Sequence, residues 1–171
     1  MSERILSREE VFSGRILRLV VDRVTLPDGR EAERELVLHP GAVAIIPILD
    51  DGRILLVRQH RHAAGKELLE IPAGKLDVDG ESPQECAARE LTEETGYEAS
   101  EWEELLTFYT SPGFTNETIT LFRATGLRKV GSFAPGEIAG IEPIEPGSAR
   151  RMVATGEIAD GKTIIALLLE R

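Results

Sequence analysis

Three glutamates near the middle of the chain, Glu90, Glu93 and Glu94, have the residue type and spacing best suited to chemistry. A helical residue advances about 100° per step, so Glu90 and Glu94 would lie one turn apart on the same side, with Glu93 beside them. A hard divalent cation such as Mg²⁺, which prefers carboxylate and phosphate oxygens, would offset their mutual repulsion. The pattern therefore indicates metal-assisted chemistry on a phosphate compound. The alternative is an acidic helix whose carboxylates are simply solvated.

The residues on either side of these glutamates predict the bounds of a helix. Ser82 can cap the free amides at its start, and Pro83 suits the first turn, where its missing N–H needs no partner. Gly96 supplies the left-handed conformation that ends a helix. Ala87 and Leu91 share a less polar side between these bounds. We therefore expect a helix that packs this side inward and holds its carboxylates at the rim of the packed face.

The same stretch carries a long motif. Glu81 is followed by seven residues and then by the sequence RELTEETGY at residues 89–97. This arrangement resembles the signature of the Nudix hydrolases, in which Gly, five residues, Glu and seven residues precede Arg-Glu-aliphatic-any-Glu-Glu-any-Gly-apolar. One departure is that six residues, rather than five, separate Gly74 from Glu81. We attribute the additional residue to a longer turn over Leu76–Gly80, ahead of the helix.

Three further stretches are similar to the ADP-ribose pyrophosphatase group of that family: VRQHR at 57–61, EIPAG at 70–74 and SPGFT at 111–115. The resemblance implies divalent-metal-dependent hydrolysis of the pyrophosphate bond of ADP-ribose to AMP and ribose 5-phosphate. Two alternatives remain open. One is a Nudix hydrolase of another nucleoside diphosphate derivative, such as a nucleotide sugar or a dinucleoside polyphosphate. The other is a sensor that binds ADP-ribose without cleaving it.

The resemblance also implies which residues would hold two or more Mg²⁺ (or Mn²⁺) ions. The Ala73 carbonyl would hold these ions together with Glu90 and Glu94. Glu81 and Glu93 would supply further ligands, directly or through water. Arg89 would orient the glutamates through charge-assisted hydrogen bonds, or form an ordinary helical ion pair. The general base would lie just before the last strand. Family members often carry acids at the places of Glu137 and Ala139, so Glu137 is the candidate here and Glu142 the fallback.

Substrate contacts follow from the same resemblance. Arg58 and Arg61 would bind the diphosphate, although the basic segment around them could also be a solvated loop. Ser111 and Gly113 would contact the terminal ribose. The residues expected to contact adenine or the neighbouring ribose across a homodimer are Arg34, Glu35 and His39. His60 and His62 do not make a metal site, because no third ligand lies nearby in the sequence.

The elements that must position these residues alternate between strands and helices. Residues 14–38 predict a hairpin, residues 42–49 a strand buried on both faces, and residues 53–59 a strand that pairs back on it. Further strands are expected from Leu68 to Pro72, which ends the strand, and at 102–109, 118–125 and 141–144. Helices are expected at 148–155 and 162–170, the latter capped by Asp160. The pattern favours an α/β (α+β) fold, a Nudix-type α/β/α sandwich with a mixed sheet, plus an N-terminal antiparallel β hairpin subdomain.

His39-Pro40-Gly41 marks a boundary between an N-terminal β subdomain (1–40) and a catalytic domain (41–171). The resemblance implies that the N-terminal subdomain forms a homodimer and completes the adenine site. The 171 residues and 42% hydrophobic content suffice for a sizeable core. A net charge of −10 argues against binding to nucleic acids or anionic membranes. One cysteine, Cys86, and a charged N-terminus without an apolar segment favour a cytoplasmic protein.

Overall fold

A computed structural model describes residues 2–133 and 138–170, and the chain divides into two compact units. The first comprises Met1–Gly41 and Phe108–Thr118, and the second comprises Ala42–Thr107 and Ile119–Arg171. In the parts of the chain that the structure describes, no helix is both long and apolar enough to span a membrane.

The first unit is built on an antiparallel sheet with the strand order β1-β2-β3. The strands are β1 (Arg4–Ser13), β2 (Arg18–Thr25) and β3 (Glu31–Leu38). The predicted hairpin is confirmed as β2 and β3, joined by a turn in which Gly29 has a φ of 86°. β1 was not predicted, because its ten residues are all exposed and show no alternation of apolar and polar residues. Arg8 of β1 forms a bidentate hydrogen bond with the buried Asp22 of β2, at 2.6 and 2.7 Å, and this contact links the two strands.

The second unit contains a mixed sheet with the order β7-β4-β9-β8. Its strands are β4 (Ala42–Pro47), β7 (Ala73–Lys75), β8 (Tyr97–Tyr109) and β9 (Thr118–Lys129), the last two of which continue into the first unit. β4 runs parallel to β9 and antiparallel to β7. A second, antiparallel sheet has the order β10-β5-β6, with β5 (Ile54–Arg61), β6 (Lys66–Glu70) and β10 (Ile138–Ile144).

The prediction that the strand after Asp51-Gly52 pairs back on β4 was wrong. The turn does form, and the Leu49 N–H donates to the Arg53 carbonyl at 2.9 Å. One isolated bridge, Ile48 to Ile54, follows before β5 joins the other sheet. The physical reason is that both edges of β4 are already paired, with β7 and with β9.

Within the described residues, three α-helices complete the second unit: α1 (Pro83–Thr95), α2 (Pro146–Thr155) and α3 (Gly161–Leu169). The apolar side of α1, with Ala87 and Leu91, packs in one cluster with Val43 and Ile45 of β4. Successive strand residues point to opposite faces, so Ala44 and Ile46 lie on the other face of β4, and α3 contacts that strand. β4 is therefore buried on both faces, and the predicted α/β sandwich with a mixed sheet and an N-terminal antiparallel sheet is confirmed.

Candidate active site

Local signals fix the helix that carries the glutamates. Ser82 Oγ accepts the Glu85 N–H at 3.3 Å, and Glu85 Oε2 accepts the Ser82 N–H at 2.8 Å, so the two residues form a reciprocal capping box. Gly96 ends the helix with a φ of 72°, and its N–H donates to the Thr92 carbonyl at 2.8 Å. The predicted start and end of this helix are thus confirmed.

Glu90 and Glu94 lie on the side of α1 that faces the Ala73–Gly74 segment. Glu94 is 8% exposed and its Oε2 accepts the Ala73 N–H at 3.1 Å. Glu90 lies directly against Gly74, where an added Cβ would come within 2.0 Å of Glu90 Cδ. Only a glycine at this position leaves room for the Glu90 carboxylate as it is placed.

Burial shifts both acids in the same direction. It raises the pKa of Glu94 to about 7, against the opposing effect of the Ala73 N–H, and the negative charge of Glu90 adds to the rise. Burial also raises the pKa of Glu90, although Arg89 opposes the shift. Two acids whose ionised forms are disfavoured by their surroundings gain most from an added positive charge.

Arg89 forms hydrogen bonds to three carboxylates, including that of Glu90. Its Nε and Nη2 donate to Glu81 at 2.8 and 2.9 Å, and its Nη1 donates to Glu90 at 2.7 Å and to the more exposed Glu93 at 3.4 Å. The hydrogen bond from Arg89 holds the pKa of Glu81 below its usual range. The neighbouring Cys86 is fully buried, and burial raises the pKa of its thiol to about 12, so it is an unreactive core residue.

The donor set around the Ala73–Gly74 segment fits a hard divalent cation in its chemistry. It consists of carboxylate and carbonyl oxygens, the ligands that Mg²⁺ and Mn²⁺ prefer. Within residues 2–133 and 138–170, no group of three or more His, Cys, Asp or Glu side chains is gathered in a way that could hold a metal ion. The reason lies in the hydrogen bonds: Arg89 draws Glu81 and Glu90 towards itself, whereas Glu94 is directed at the Ala73 amide.

A second cluster of charges in the same unit was not predicted. Arg61 donates from Nε and Nη2 to the two oxygens of Glu70 at 2.9 and 2.7 Å, and Lys162 Nζ also donates to Glu70 Oε2. Lys162 Nζ also lies 3.0 Å from Asp160 Oδ2. Asp160 caps α3, as predicted, by accepting the Thr163 N–H at 3.0 Å. We call these five residues the Glu70 cluster.

Glu70 is only 1% exposed and remains an ionised partner in this cluster. Burial by itself would raise the pKa of Glu70, but the hydrogen bonds and charges of Arg61 and Lys162 outweigh that effect and lower it. The sequence did contain a signal, since Glu70 interrupts the apolar run Leu68-Leu69-Glu70-Ile71. A charged residue inside a buried strand requires a partner, but the run does not indicate which residue that partner is.

Two predicted residues on neighbouring strands form an ion pair. Arg58 on β5 donates from Nε to Glu142 on β10. Glu142, the fallback for the general base, is therefore engaged by a residue predicted to bind the diphosphate. Glu137, the first choice for the base, lies outside the described residues. His60 and His62 are both exposed.

The remaining predicted substrate residues lie in the first unit. Arg34 forms hydrogen bonds to Glu3 at 3.1 and 2.6 Å, and Glu35 is exposed. His39 is more constrained, because its Nδ1 accepts the Gly41 N–H at 3.1 Å and its side chain is 12% exposed.

Ser111 and Gly113 belong to a tight turn of the same unit. The Ser111 carbonyl accepts the N–H groups of Phe114 and Thr115, each at 3.1 Å, and the Phe114 carbonyl accepts the Val37 N–H of β3 at 2.8 Å. An added Cβ on Gly113 would meet no atom within 4 Å, so the backbone there is open to close approach.

Two protein families match successive parts of this chain. The family described as "NUDIX domain" matches residues 38–166, and the family described as "Nucleoside diphosphate sugar hydrolase N-terminal domain" matches residues 3–37. The ADP-ribose pyrophosphatase of Mycobacterium tuberculosis is 45% identical over 168 residues, which cover 95% of this chain and 80% of that protein. The methanol dehydrogenase activator of Bacillus methanolicus is 44% identical over 168 residues, or 96% and 90% of the two chains.

A solved structure titled "Crystal structure of ADP compounds hydrolase" has the same fold, with a TM-score of 0.87. It covers 99% of this chain and 92% of its own, at 23% sequence identity.

Proposed function

This chain belongs to the Nudix family, and from that membership we propose that it hydrolyses the pyrophosphate bond of ADP-ribose to AMP and ribose 5-phosphate. The observation that carries the proposal is the placing of Glu90 and Glu94 against the Ala73–Gly74 segment, where Glu94 is buried without an ion-pair partner among the described residues and the half-buried Glu90 shares Arg89 with Glu81 and Glu93. The substrate is supported by the Mycobacterium tuberculosis relative, an ADP-ribose pyrophosphatase aligned over nearly the whole chain.

We assign the metal site to Ala73, through its carbonyl, with Glu90 and Glu94. Glu81 and Glu93 are assigned as further ligands, directly or through water. When bound, Mg²⁺ or Mn²⁺ ions neutralise the diphosphate and make water a stronger nucleophile. Arg89 has the hydrogen bonds needed to keep Glu81 ionised and to set the orientation of Glu90.

The diphosphate is assigned to Arg61 and Arg58, which present guanidinium donors suited to phosphate oxygens. Glu137 is the proposed acceptor of the proton from the attacking water. It is preferred to Glu142 because Glu142 is already paired with Arg58. Ser111 and Gly113 are assigned to the terminal ribose. Contacts with adenine or its ribose are assigned to Arg34, Glu35 and His39.

We further propose a homodimer in which residues 1–40 form the N-terminal β subdomain that dimerises and completes the adenine site, and residues 41–171 form the catalytic domain. In support, β1 carries apolar side chains that are open to solvent, with Ile5, Val11 and Phe12 each 56% exposed. A cytoplasmic location is proposed because the single, buried cysteine has no partner in the sequence for an intrachain disulfide.

A second candidate is hydrolysis of a nucleotide sugar. It is favoured by the match of residues 3–37 to the N-terminal domain of nucleoside diphosphate sugar hydrolases. The two candidates share the metal site and the diphosphate contacts and differ in the group attached to the second phosphate.

Product analysis separates the candidates. The protein is incubated with ADP-ribose or with GDP-mannose in Mg²⁺, in Mn²⁺ and in EDTA, with Glu94→Gln as the inactive reference. We expect AMP and ribose 5-phosphate from ADP-ribose, and no turnover in EDTA. A large preference for GDP-mannose would replace the proposed substrate. Binding of ADP-ribose without turnover in either metal would indicate a sensor instead of an enzyme.

A further inference from the structure

The Glu70 cluster contains Arg61, which is assigned to the diphosphate, and the cluster's four other residues have no role in binding or catalysis assigned so far. Both oxygens of Glu70 accept hydrogen bonds, Oε1 from Arg61 Nε and Oε2 from Arg61 Nη2 and Lys162 Nζ. Because Glu70 is 1% exposed, water does not compete effectively for these oxygens. The position of the carboxylate is therefore set by two cations, Arg61 on the adjacent strand β5 and Lys162, which lies 92 residues away in the chain.

Arg61 uses only one edge of its guanidinium in this contact. A guanidinium has five N–H donors, and Glu70 takes one on Nε and one on Nη2. Among the described residues, no hydrogen bond uses Arg61 Nη1. The side chain of Arg61 is 39% exposed, so the edge with Nη1 remains available to a ligand while the opposite edge is fixed.

Lys162 is anchored independently of Arg61. It is 9% exposed, and its Nζ lies between Glu70 and Asp160. Asp160 Oδ2 also accepts the Thr163 hydroxyl at 2.6 Å, and Thr163 Oγ1 in turn accepts the Ile71 N–H at 2.9 Å. The first turn of α3 is thereby joined to the end of β6, so Lys162 holds Glu70 from a rigid position.

We propose that Lys162 is a positioning residue for substrate binding, which acts through Glu70 to orient Arg61 towards the diphosphate. This inference rests on the proposed function only in taking Arg61 as a diphosphate ligand. Lys162 compensates part of the charge of Glu70 and fixes Oε2, so the two carboxylate oxygens match the Nε and Nη2 donors of Arg61. Without Lys162, the carboxylate has a single cationic partner in the cluster and its orientation is less defined, so the free edge of Arg61 is misaligned.

The first test is Lys162→Met, which keeps an unbranched apolar side chain and removes the charge. We expect KM for ADP-ribose to rise about tenfold, with a smaller change in kcat. Tenfold is the lower end of the loss of affinity seen when a metal ligand loses the residue that orients it, and we expect a similar loss for Arg61. Lys129→Met, which removes an exposed lysine on β9, should leave both constants unchanged. A fall in kcat with KM unchanged would contradict a role in positioning Arg61.

A double-mutant cycle distinguishes positioning from general destabilisation. If Lys162 acts through Arg61, Lys162→Met should have no further effect on KM in an Arg61→Ala background. Additive effects of the two substitutions would overturn the proposal, because they would mean that Lys162 and Arg61 act on binding separately.

Removing one member of a buried charge cluster can prevent folding. Should Lys162→Met not fold, as judged by circular dichroism, Glu70→Gln combined with Lys162→Met removes both charges, and the same rise in KM is expected. An unchanged KM in that variant would overturn the proposal. If the wild-type protein cleaves GDP-mannose but not ADP-ribose, the proposed substrate fails, and the cycle is measured with GDP-mannose. If it cleaves neither, the same cycle is measured as the Kd for ADP-ribose by calorimetry.

Discussion

Two buried glutamates in the same unit, Glu70 and Glu94, are in opposite electrostatic situations. Glu70 is 1% exposed, and Arg61 and Lys162 hold its pKa below the usual range in spite of its burial. Glu94 is 8% exposed, and burial raises its pKa to about 7. In the described parts of the chain, no cationic side chain forms an ion pair with Glu94, and Arg61 and Lys162 act on it only as nearby charges.

The opposite pKa shifts of Glu70 and Glu94 indicate that the two carboxylates have different roles. A buried carboxylate whose counter-charges come from its own chain contributes to the organisation of the fold. A buried carboxylate without them is costly in the ionised form until a cation arrives from outside. On this basis we propose that Glu70 supports the site and that Glu94 belongs to the part that binds the metal.

The largest effect is expected from removing the charge of Glu94. Glu94→Gln keeps the size of the side chain but not its negative charge, so we expect kcat to fall roughly 10²–10³-fold, the scale of losing one electrostatic group at a reacting centre. Steady-state kinetics with ADP-ribose and Mg²⁺ measures the fall. Glu104→Gln, an exposed glutamate on β8, is the matched control and should be fully active. Full activity of Glu94→Gln would remove the metal assignment.

The stability of the metal-free protein should depend on pH through Glu94. Its pKa in the folded state, about 7, lies above the ordinary value of 4.5, so the folded state binds the proton more tightly than the unfolded state. The free energy of unfolding should therefore fall as the pH rises from 4.5 to 7, by about 3 kcal/mol for a shift of this size, and the loss is complete above pH 7.

Urea unfolding in EDTA at pH 5 and pH 8 tests this expectation. The wild-type protein should lose more stability between these pH values than Glu94→Gln, and saturating Mg²⁺ at pH 8 should restore it by binding the folded state. An identical pH dependence of the two proteins would mean that Glu94 is compensated by its own chain, as Glu70 is.

A smaller effect is expected at Gly74. In Gly74→Ala, the Cβ would lie 2.0 Å from Glu90 Cδ, so the Glu90 carboxylate must move away from the Ala73–Gly74 segment. We expect activity to fall about 10- to 100-fold, as when a metal ligand loses its orientation, with little change in the unfolding midpoint. Gly147→Ala is the control, since its nearest neighbour would be Arg151 Nη1 at 3.7 Å. A fully active Gly74→Ala protein would show that the placing of Glu90 is not important.

The smallest effect is expected from Ser82, whose hydroxyl and backbone amide donate hydrogen bonds to the Glu85 carboxylate at the start of α1. Glu85 is exposed, and the Ser82 hydroxyl and backbone amide hold its pKa below the usual range. Ser82→Ala removes half of the capping box and should cost about 1 kcal/mol of stability without altering kcat. Thermal unfolding and a rate at saturating substrate measure the two quantities. A large loss of kcat would mean that the start of α1 is coupled to the site more strongly than its exposure indicates.

The features that could be predicted from the sequence are those with local signals. The bounds of α1 follow from Ser82, Pro83 and Gly96, each of which acts within its own turn of helix. β1 could not be predicted because an exposed edge strand needs no apolar alternation, and its tie to β2 is the Arg8–Asp22 pair. The pairing of β5 was mispredicted because a turn does not determine which strands pair in the sheet, and β7 and β9 occupy both edges of β4.

By itself the sequence determined the family, the helix that carries the glutamates and the order of most elements, because these depend on residue type and short-range spacing. The tertiary structure alone decided which glutamates have their charge compensated within the chain. Lys162 lies 92 residues beyond its partner Glu70, and no local pattern relates the two. Glu70 and Glu94 are chemically the same side chain, and their different pKa values arise from burial and from neighbours that only folding brings together.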